Sequence, residues 1–442
     1  MSLEFLKILV VAWATLWVGV GVVRLARGRF SSIYVVMIVF YVLFIVPLLL
    51  DVTMGLPEYR NQPGFLLSFE DPAVNPIYLG YMAFIAPLWV LGARQSKRTL
   101  AAPRLTFKVL LPLGAVLLGP LGLLLAYPEA MDYVTHYGHS LSIDVNPALS
   151  GLISGVTVLS VLAAIGFIIL AKRTWYTTVG LMPMVTLSVW MNGKRAIIAI
   201  FLVMFLVTLL YKRAIRRFAL VGMPVALMAG FMLFSSYYLG NIRSNYDEVY
   251  KSPTEIYTNN RIDFGRDDVT KMTIYAELNP DIMRILEYRG QSFLFNLMPW
   301  IPRAVWPNKP LPYAQYVTSA MLITPPQLRG WGMTTSLLEE AIANFSWWGM
   351  LIGPLMILGI CNYGDRPRRN DASIFTVIVA SLLLAVHAVA FYPIIAAYTL
   401  YVVHLNRRIS REMRREREQK RWDALNDLTL ERREFPRSSG MY

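Results

Sequence analysis

Residues 31–50 read SSIYVVMIVFYVLFIVPLLL, a run of twenty residues without a charged side chain. An α-helix needs about 20 consecutive apolar residues to cross the hydrocarbon core of a bilayer. Similar runs recur through the chain, which is 56% hydrophobic and 16% charged, against about 25% charged in a typical soluble domain. The sequence therefore predicts an all-α integral membrane protein.

We expect about eleven transmembrane helices. The first lies at the N-terminus, where the apolar stretch Phe5–Val23 is longer than that of a signal peptide and its flank is not clearly basic. No internal repeat of fixed period is evident. The predicted spans lie near 5–23, 31–50, 76–93, 107–127, 147–171, 175–191, 195–211, 218–240, 345–362, 373–389 and 392–405.

Basic residues are divided unequally between the two sides of the membrane. One set of alternate loops, with the segment after His404, carries 28 of the 42 basic residues and only 9 of the 28 acidic ones. An excess of Lys and Arg marks the cytoplasmic side. We therefore expect a bacterial inner-membrane protein with a periplasmic N-terminus and a cytoplasmic C-terminus. This distribution explains the net charge of +14 without nucleic acid, for which the sequence has no motif.

The spans divide the chain into four regions. Residues 1–240 form an N-terminal transmembrane bundle of about eight spans, and residues 345–405 form the C-terminal transmembrane helices. Between them, 241–344 form a large periplasmic loop, which is too long for a simple connection and too aromatic for disorder. We expect short interfacial helices in this loop. Residues 406–442 form a basic cytoplasmic tail, in which Arg407–Arg421 can lie on anionic lipid headgroups, although a topology anchor is the favoured interpretation.

The first candidate site is a tight turn between two apolar runs, which contains Lys194 and Arg195. These cations are predicted at the outer membrane edge, against the positive-inside trend. Charged residues there are costly, so a bound partner is expected to stabilise them. One such partner is a phosphate or diphosphate headgroup. The alternative is that both side chains reach ordinary lipid phosphates.

The large loop contains many cations, and carboxylates are interspersed with them. The densest group is Arg261–Asp268, which reads RIDFGRDD. Arginine suits phosphate recognition, and a nearby carboxylate can orient the arginine or act as a general base. Composition alone slightly favours a solvated, charged loop. The cations of the loop that we consider are Arg243, Arg261, Arg266, Arg284, Arg289, Arg303, Lys309 and Arg329.

The segment Pro299–Pro310 reads PWIPRAVWPNKP. Its two tryptophans are of the kind that lies at membrane interfaces, and its four prolines favour an extended, rigid backbone. Arg303 and Lys309 are thereby held near headgroup depth. The segment can bind a lipid-linked phosphate, or it can simply seat the loop on the bilayer.

A polar helix face is predicted just before the ninth span. Ser336, Glu340 and Asn344 are spaced by four residues and therefore share one face. We expect this helix to lead directly into the span, which places the Glu340 carboxylate at the outer membrane edge. A carboxylate there can act as a base toward a sugar hydroxyl.

His387 is predicted near the outer end of the tenth span, where a packed core histidine is more common than a catalytic one. The sequence contains no P-loop, HExxH motif, metal-ligand spacing or nucleophile elbow. We therefore expect no metal and no cofactor.

The chain resembles the Wzy-type polymerases of bacterial surface polysaccharides, which include the O-antigen and enterobacterial common antigen polymerases. The span count and the position of the large loop fit this family. One departure is Trp347-Trp348, which stands where a simpler glycine step is expected. The resembling motifs are Gly193-Lys194-Arg195-Ala196, Arg266-Asp267, Trp306-Pro307-Asn308-Lys309-Pro310, the S-x-x-x-E-x-x-x-N-F pattern of Ser336–Phe345, and Trp348-Gly349.

The resemblance implies the fold of the C-type lipid-dependent glycosyltransferase superfamily. It also implies metal-independent transfer of a growing glycan from undecaprenyl diphosphate to the terminal sugar of a new lipid-linked repeat unit. The expected partners are these donor and acceptor lipids, membrane lipids and a chain-length-regulating co-polymerase. The expected base is Asp267 or Glu340, with His387 in reserve. The expected diphosphate-binding residues are Arg195, Arg266 and Arg303, with Lys194, Arg243, Lys309 and Arg329.

Three other functions share parts of this pattern. An O-antigen ligase uses the same donor on the same side, and another membrane glycosyltransferase could use an undecaprenyl-monophosphate sugar. A lipid-linked oligosaccharide transporter would favour charged or broken helices near the bilayer midplane and internal repeats. Here the strongest charges collect in one loop.

Overall fold

A computed structural model describes residues 2–59, 61–97, 107–135, 147–171, 174–193, 197–198, 201–202, 204–205, 208, 230, 253–326, 332–367 and 369–434. About 80% of these described residues are helical. The one described sheet is a two-residue antiparallel pair, in which β1 (Arg29–Phe30) places Arg29 opposite Lys97 of β2 (Ser96–Lys97).

The described helices of the N-terminal half include two short turns that are not α-helical. A π-helical turn, Tyr41–Ile45, joins α2 to α3, and a 3₁₀ turn, Pro128–Met131, precedes α8. The helices with described bounds in this half are α1 (Leu3–Ala26), α2 (Ser32–Phe40), α3 (Val46–Met54), α4 (Pro63–Glu70), α5 (Val74–Gly92), α6 (Phe107–Leu117), α7 (Gly119–Ala126), α8 (Asp132–Thr135), α9 (Pro147–Leu170) and α10 (Thr174–Asn192).

The C-terminal half contains short helices followed by a very long one. A 3₁₀ turn, Ser346–Trp348, joins α15 to α16, and another, Ala388–Phe391, precedes α18. The helices are α11 (Pro253–Phe264), α12 (Asp267–Leu278), α13 (Gln291–Leu297), α14 (Tyr313–Leu322), α15 (Leu337–Phe345), α16 (Gly349–Gly364), α17 (Asn370–Ala385) and α18 (Tyr392–Glu434).

Six helical stretches within the described ranges are long and apolar enough to cross a membrane, as expected of an all-α membrane protein. Predicted span 107–127 is instead two short helices, α6 and α7, and the predicted spans 195–211 and 218–240 lie mostly outside the described residues. The total of eleven spans stays a prediction. The six stretches are Leu3–Leu25, Ser32–Met54, Val74–Gly92, Leu149–Leu170, Leu337–Gly364 and Ala388–Glu416. The fifth of them comprises two helices, α15 and α16, joined at Ser346–Trp348.

A buried carboxylate connects three helices at one end of the bundle. Asp365 accepts hydrogen bonds from the backbone N–H of Ser32 at 2.7 Å, the hydroxyl of Ser32 at 2.6 Å and the hydroxyl of Ser373 at 2.8 Å. The carboxylate therefore fixes the end of α16 beside the first turns of α2 and α17. We call this end, which contains segments predicted to be cytoplasmic, the inner end, and the opposite end the outer end.

The helix that spans α2 and α3 is interrupted at Leu43. Pro47 has no N–H, so the Leu43 carbonyl lacks the donor that a regular helix would supply. The backbone N–H of Arg266 donates to this carbonyl at 3.0 Å, and the hydroxyl of Tyr78 donates to the neighbouring Phe44 carbonyl at 2.9 Å. At a rise of about 1.5 Å per residue, Leu43 lies about 16 Å from Ser32, close to the middle of a hydrocarbon core about 30 Å thick.

Helices α11 and α12 enter the bundle from the outer end and return to it. Arg261 of α11 contacts Asp51, whereas Arg266, at the turn, contacts Leu43, about 12 Å deeper along the same helix. The end of α12 is outside again, since Asn279 donates to Asp71, which precedes α5, at 3.1 Å. The turn between α11 and α12 is therefore re-entrant.

The prediction that the Glu340 helix runs directly into the ninth span is wrong. Helix α15 ends at Phe345, and the chain reverses at Ser346, whose φ is +56°. Helix α16 packs back along α15, because Gly349 lies against the backbone of Ala341 and Gly353 lies against Leu338. The N-terminus of α15 therefore points into the bundle, where irregular backbone is tolerated when protein surrounds it.

We predict that Gly349→Ala destabilises the protein by about 1–3 kcal/mol or more, because the added methyl group overlaps the backbone of Ala341 and Ile342. The matched control is Gly359→Ala in the same helix, where a Cβ has no neighbour within 4 Å. Thermal unfolding in detergent micelles measures both variants. Equal unfolding temperatures for the two variants would contradict the close packing of α15 on α16.

Candidate functional site

A group of buried charged side chains lies where α11 and α12 pack against the outer ends of α1 and α3. We call it the ionic cluster. Its ion pairs join residues more than 200 positions apart in the sequence. They therefore connect α11 and α12 to the helices of the N-terminal half. Its members are Lys7, Asp51, Arg261, Asp267, Asp268 and Lys271, all of them buried.

Arg261 is the centre of the ionic cluster. Its two terminal nitrogens donate to the two carboxylate oxygens of Asp267 at 2.5 and 2.6 Å, and its Nη2 also contacts Asp51 at 3.1 Å. This is the bidentate geometry in which arginine pairs most strongly with a carboxylate. A side chain at Gly265 would overlap both Arg261 and Asp267, so glycine is required at the turn.

Two lysines also pair with the carboxylates of Asp51 and Asp267. Lys7 Nζ contacts Asp51 at 3.2 Å, and Lys271 Nζ contacts Asp267 at 2.8 Å. The ammonium of Lys271 also lies 5.2 Å from the centre of the Tyr78 ring, where a cation is attracted to the ring face. Both oxygens of Asp267 are therefore engaged by cations.

The two neighbouring aspartates titrate in opposite directions. Burial disfavours ionisation of Asp267, but the charges of Arg261 and Lys271 outweigh it and hold the pKa of this carboxyl below its usual range. Burial and the charge of Asp267 raise the pKa of Asp268 above its usual range. The hydroxyl of Tyr59 donates to Asp268 at 2.6 Å.

The interpretation of Arg261–Asp268 as a solvated loop is wrong, because Arg261, Asp267 and Asp268 are buried. The catalytic role of Asp267 stays a prediction. Its surroundings suit a permanent counter-ion, since a base needs an oxygen that is free to accept a proton.

Arg266 lies at the re-entrant turn and is also buried. Its Nε donates to the carbonyl of Ala385 at 2.9 Å, at the last residue of α17, and its Nη1 donates to the carbonyl of Gly265 at 2.7 Å. A cation is favourable at a helix C-terminus. The observed contacts thus make Arg266 a cap for α17, and its predicted diphosphate role is not tested by them.

Glu340 has a different environment from the ionic cluster. It is buried, and its Oε1 accepts hydrogen bonds from the Ser292 hydroxyl at 2.9 Å and the Asn296 amide at 2.7 Å. The Asn344 amide donates to Ser292 at 2.7 Å. No cation pairs with Glu340, and its Oε2 accepts no hydrogen bond, within the part of the chain that the structure describes.

Glu339, one of the acids interspersed in the large loop, has no predicted role, but its position beside Glu340 gives it one. Ser336 caps α15, with its hydroxyl accepting from the N–H of Leu338, while Glu339 accepts from the backbone of Ser336. The Thr270 hydroxyl donates to Glu339 at 3.4 Å. The S-x-x-E spacing is the known signature of such a capping box and could have identified this role.

The side chains of Arg303 and Lys309 both donate hydrogen bonds to backbone carbonyls of the proline-rich segment. Arg303 donates to the carbonyls of Lys309 at 2.8 Å and Pro310 at 3.2 Å, and Lys309 donates to those of Pro299 at 2.6 Å and Ile301 at 2.8 Å. Neither cation pairs with a carboxylate within the described ranges. Burial and the charge of Arg303 lower the pKa of Lys309.

Helix α13 joins this cation pair to Glu340. Asn296 donates to Glu340, and the adjacent residue, Phe295, places its ring 4.8 Å from the ammonium of Lys309. Trp300, which is 64% exposed, lies 6.1 Å from the ring of Tyr392 at the start of α18. The carboxyl and the two cations therefore flank one short helix, α13.

Five predicted site residues remain, and only His387 is among the residues that the structure describes. His387 lies two residues after the Ala385 carbonyl that Arg266 caps, at the junction between α17 and α18. Lys194, Arg195, Arg243 and Arg329 lie outside the described residues.

Sequence reasoning missed the neutral donors Ser292 and Asn296 and the cluster members Lys7, Asp51 and Lys271. Lys7 carried a usable signal, because it lies inside the predicted span 5–23 and a charge inside an apolar span is costly without a partner. Ser292 and Asn296 carried none, since polar residues in a loop are ordinary.

No group of three or more metal-ligating side chains occurs among the residues that the structure describes. No model of a known protein family, no curated protein and no solved structure matches the chain.

We predict that Arg261→Ala lowers the free energy of unfolding by about 3–5 kcal/mol, because it leaves buried carboxylates without their main partner. The matched control is Arg289→Ala, which removes a bidentate pair with Glu277 whose arginine is 55% exposed. That variant should cost about 0–1 kcal/mol. Denaturant titration in mixed micelles measures both, and equal losses would contradict the buried cluster.

We predict that Asp268→Asn removes a pH dependence of stability. Because the pKa of Asp268 is raised in the folded state, its proton stabilises the fold at low pH. This contribution falls by about 1 kcal/mol as the pH rises from 5 to 7. Asp267, whose pKa is lowered, stays ionised over this range.

The measurement is the unfolding free energy of wild type and Asp268→Asn at pH 5, 6 and 7. The difference between the two proteins should change by about 1 kcal/mol over this range. A constant difference would show that Asp268 does not titrate there.

Proposed function

We propose that the protein is a membrane glycosyltransferase that polymerises undecaprenyl-diphosphate-linked oligosaccharide repeat units at the periplasmic face of the bacterial inner membrane. The observation that carries the proposal is the contrast between two buried carboxyls. Both oxygens of Asp267 are engaged by cations, whereas Glu340 keeps one oxygen without a donor from the described chain.

Glu340 is the base in this proposal. Ser292 and Asn296 hold Oε1 and thereby fix the carboxyl, so Oε2 is the oxygen that remains for the acceptor hydroxyl. Neutral donors orient a carboxylate without cancelling its charge, and a fixed base of this kind contributes about 10²–10⁴-fold to a rate.

Arg303 and Lys309 hold the diphosphate leaving group. Each is already oriented by two bonds to backbone carbonyls, and neither is neutralised by a carboxylate in the described chain. An arginine has five N–H donors, and Arg303, which is exposed, uses two of them. Positive charge fixed where negative charge develops lowers the barrier to the reaction.

The transfer step conserves atoms and charge. Oε2 of Glu340 accepts the proton of the acceptor hydroxyl as its oxygen bonds to the anomeric carbon of the growing glycan. The bond from that carbon to the diphosphate breaks, and the diphosphate leaves with the electron pair beside Arg303 and Lys309. Glu340 then releases its proton to water.

A transporter of lipid-linked oligosaccharides is the second candidate. The re-entrant turn at Arg266 and the helix break at Leu43 favour it, since transporters bind substrates at broken helices near the bilayer midplane. Glu340, Arg303 and Lys309 support the enzyme, because their contacts are with α13 and the proline-rich segment rather than with this break. An O-antigen ligase would use the same three residues on a different acceptor.

We predict that purified protein extends a synthetic undecaprenyl-diphosphate repeat unit into a ladder of longer lipid-linked glycans in the presence of EDTA. Glu340→Gln should slow the extension by about 10²–10⁴-fold, because it removes the base. Arg303→Ala should slow it by about 10²-fold, because it removes a leaving-group donor. Gel analysis of the products measures all three rates.

Matched controls are Glu287→Gln and Arg289→Ala, which change an exposed carboxyl and an exposed arginine of the same outer segment. Both should extend the unit at the wild-type rate. A full rate in Glu340→Gln would reject it as the base. Transfer of a preformed chain to a lipid A core indicates the ligase, and movement of the intact lipid across vesicle membranes without reaction indicates the transporter.

A further inference from the structure

Helix α18 continues far beyond the inner end of the bundle. It runs without interruption from Tyr392 to Glu434. The hydroxyl of Tyr401 donates to Asp371 at 2.6 Å, and the amide of Asn406 reaches the carbonyl of Tyr363 at 3.5 Å. These contacts mark the level at which α18 leaves the other helices.

A shallow, open groove with a volume of about 850 Å³ follows one side of α18 across this level, and all nine residues that line it belong to this helix. Its first part is apolar and includes Leu400, which is 74% exposed, and Val403. Its second part is basic and includes Arg407, Arg411 and Arg415, which are spaced by four residues and therefore share a face. The groove is thus apolar at one end and cationic at the other.

No acidic side chain of the described residues neutralises the three arginines of the groove. Arg408 pairs with Glu412 at 2.9 Å, but Arg407, Arg411 and Arg415 form no ion pair with any described residue. All three are exposed. A row of like charges without counter-ions is unfavourable by itself, so an anionic ligand would relieve its repulsion.

The depth of the groove identifies the chemistry of that ligand. At about 1.5 Å per residue, Arg407 and Arg411 lie about 2–8 Å beyond Asn406. The headgroup layer on each side of a bilayer is about 5–8 Å thick. The arginines therefore coincide with lipid phosphates, while Leu400 and Val403 lie at the depth of the acyl chains.

We propose that this groove binds an anionic phospholipid of the leaflet on the C-terminal side, with its phosphate on Arg407 and Arg411 and an acyl chain along Leu400 and Val403. The site is independent of the proposed function. It lies about 22 Å along α18 from Tyr392, which contacts Trp300 at the outer end.

The test measures lipid binding to the full-length protein in neutral detergent by native mass spectrometry. Phosphatidylglycerol is compared with phosphatidylcholine of the same acyl chains, and the wild type should prefer the former. Each arginine near an anionic headgroup contributes about fivefold to affinity. Arg407→Gln/Arg411→Gln should therefore weaken phosphatidylglycerol binding about 25-fold and leave phosphatidylcholine binding unchanged.

The control is Arg432→Gln/Arg433→Gln, which removes the same charge from the same helix about 38 Å further along. It should bind phosphatidylglycerol like the wild type. Equal binding of both lipids, equal losses in the two variants, or displacement of phosphatidylglycerol by millimolar inorganic phosphate would overturn the proposal. The last outcome would indicate a site for free phosphate.

Discussion

The hydrogen bond from the backbone N–H of Arg266 to the carbonyl of Leu43 determines where the outer segment of the chain lies. Pro47 leaves this carbonyl without a helical donor, and an unsatisfied carbonyl at this depth costs several kcal/mol. The outer segment enters the bundle and supplies this donor. Helix α12 begins at this point, so the position of Asp267 and Lys271 follows from it.

The bundle contains two re-entrant elements, and each carries a different set of buried polar side chains. The turn between α11 and α12 carries charges that neutralise one another around Arg261, and such a network stabilises one arrangement of helices. Helix α15 carries Glu340, which is held by neutral donors from α13. The first set has its hydrogen-bonding capacity largely used by the protein, and the second leaves an oxygen for a substrate.

The sequence predicted what depends on neighbouring residues. The apolar run 31–50 corresponds to the helical stretch Ser32–Met54, and the spacing of Ser336, Glu340 and Asn344 places the last two in one hydrogen-bonded network with Ser292. The reversal at Ser346 was not predictable, because it depends on how Gly349 packs against Ala341. Burial of Arg261 was missed since its partner Asp51 is 210 residues away.

The most direct measurement is an experimental structure of the protein with an unreactive lipid-diphosphate glycan and an acceptor repeat unit. The diphosphate should lie within hydrogen-bonding distance of Arg303 and Lys309, with an acceptor hydroxyl about 2.6–3.2 Å from Oε2 of Glu340. A diphosphate bound at the re-entrant turn near Arg266, with Glu340 facing only protein, would contradict the proposed catalytic centre.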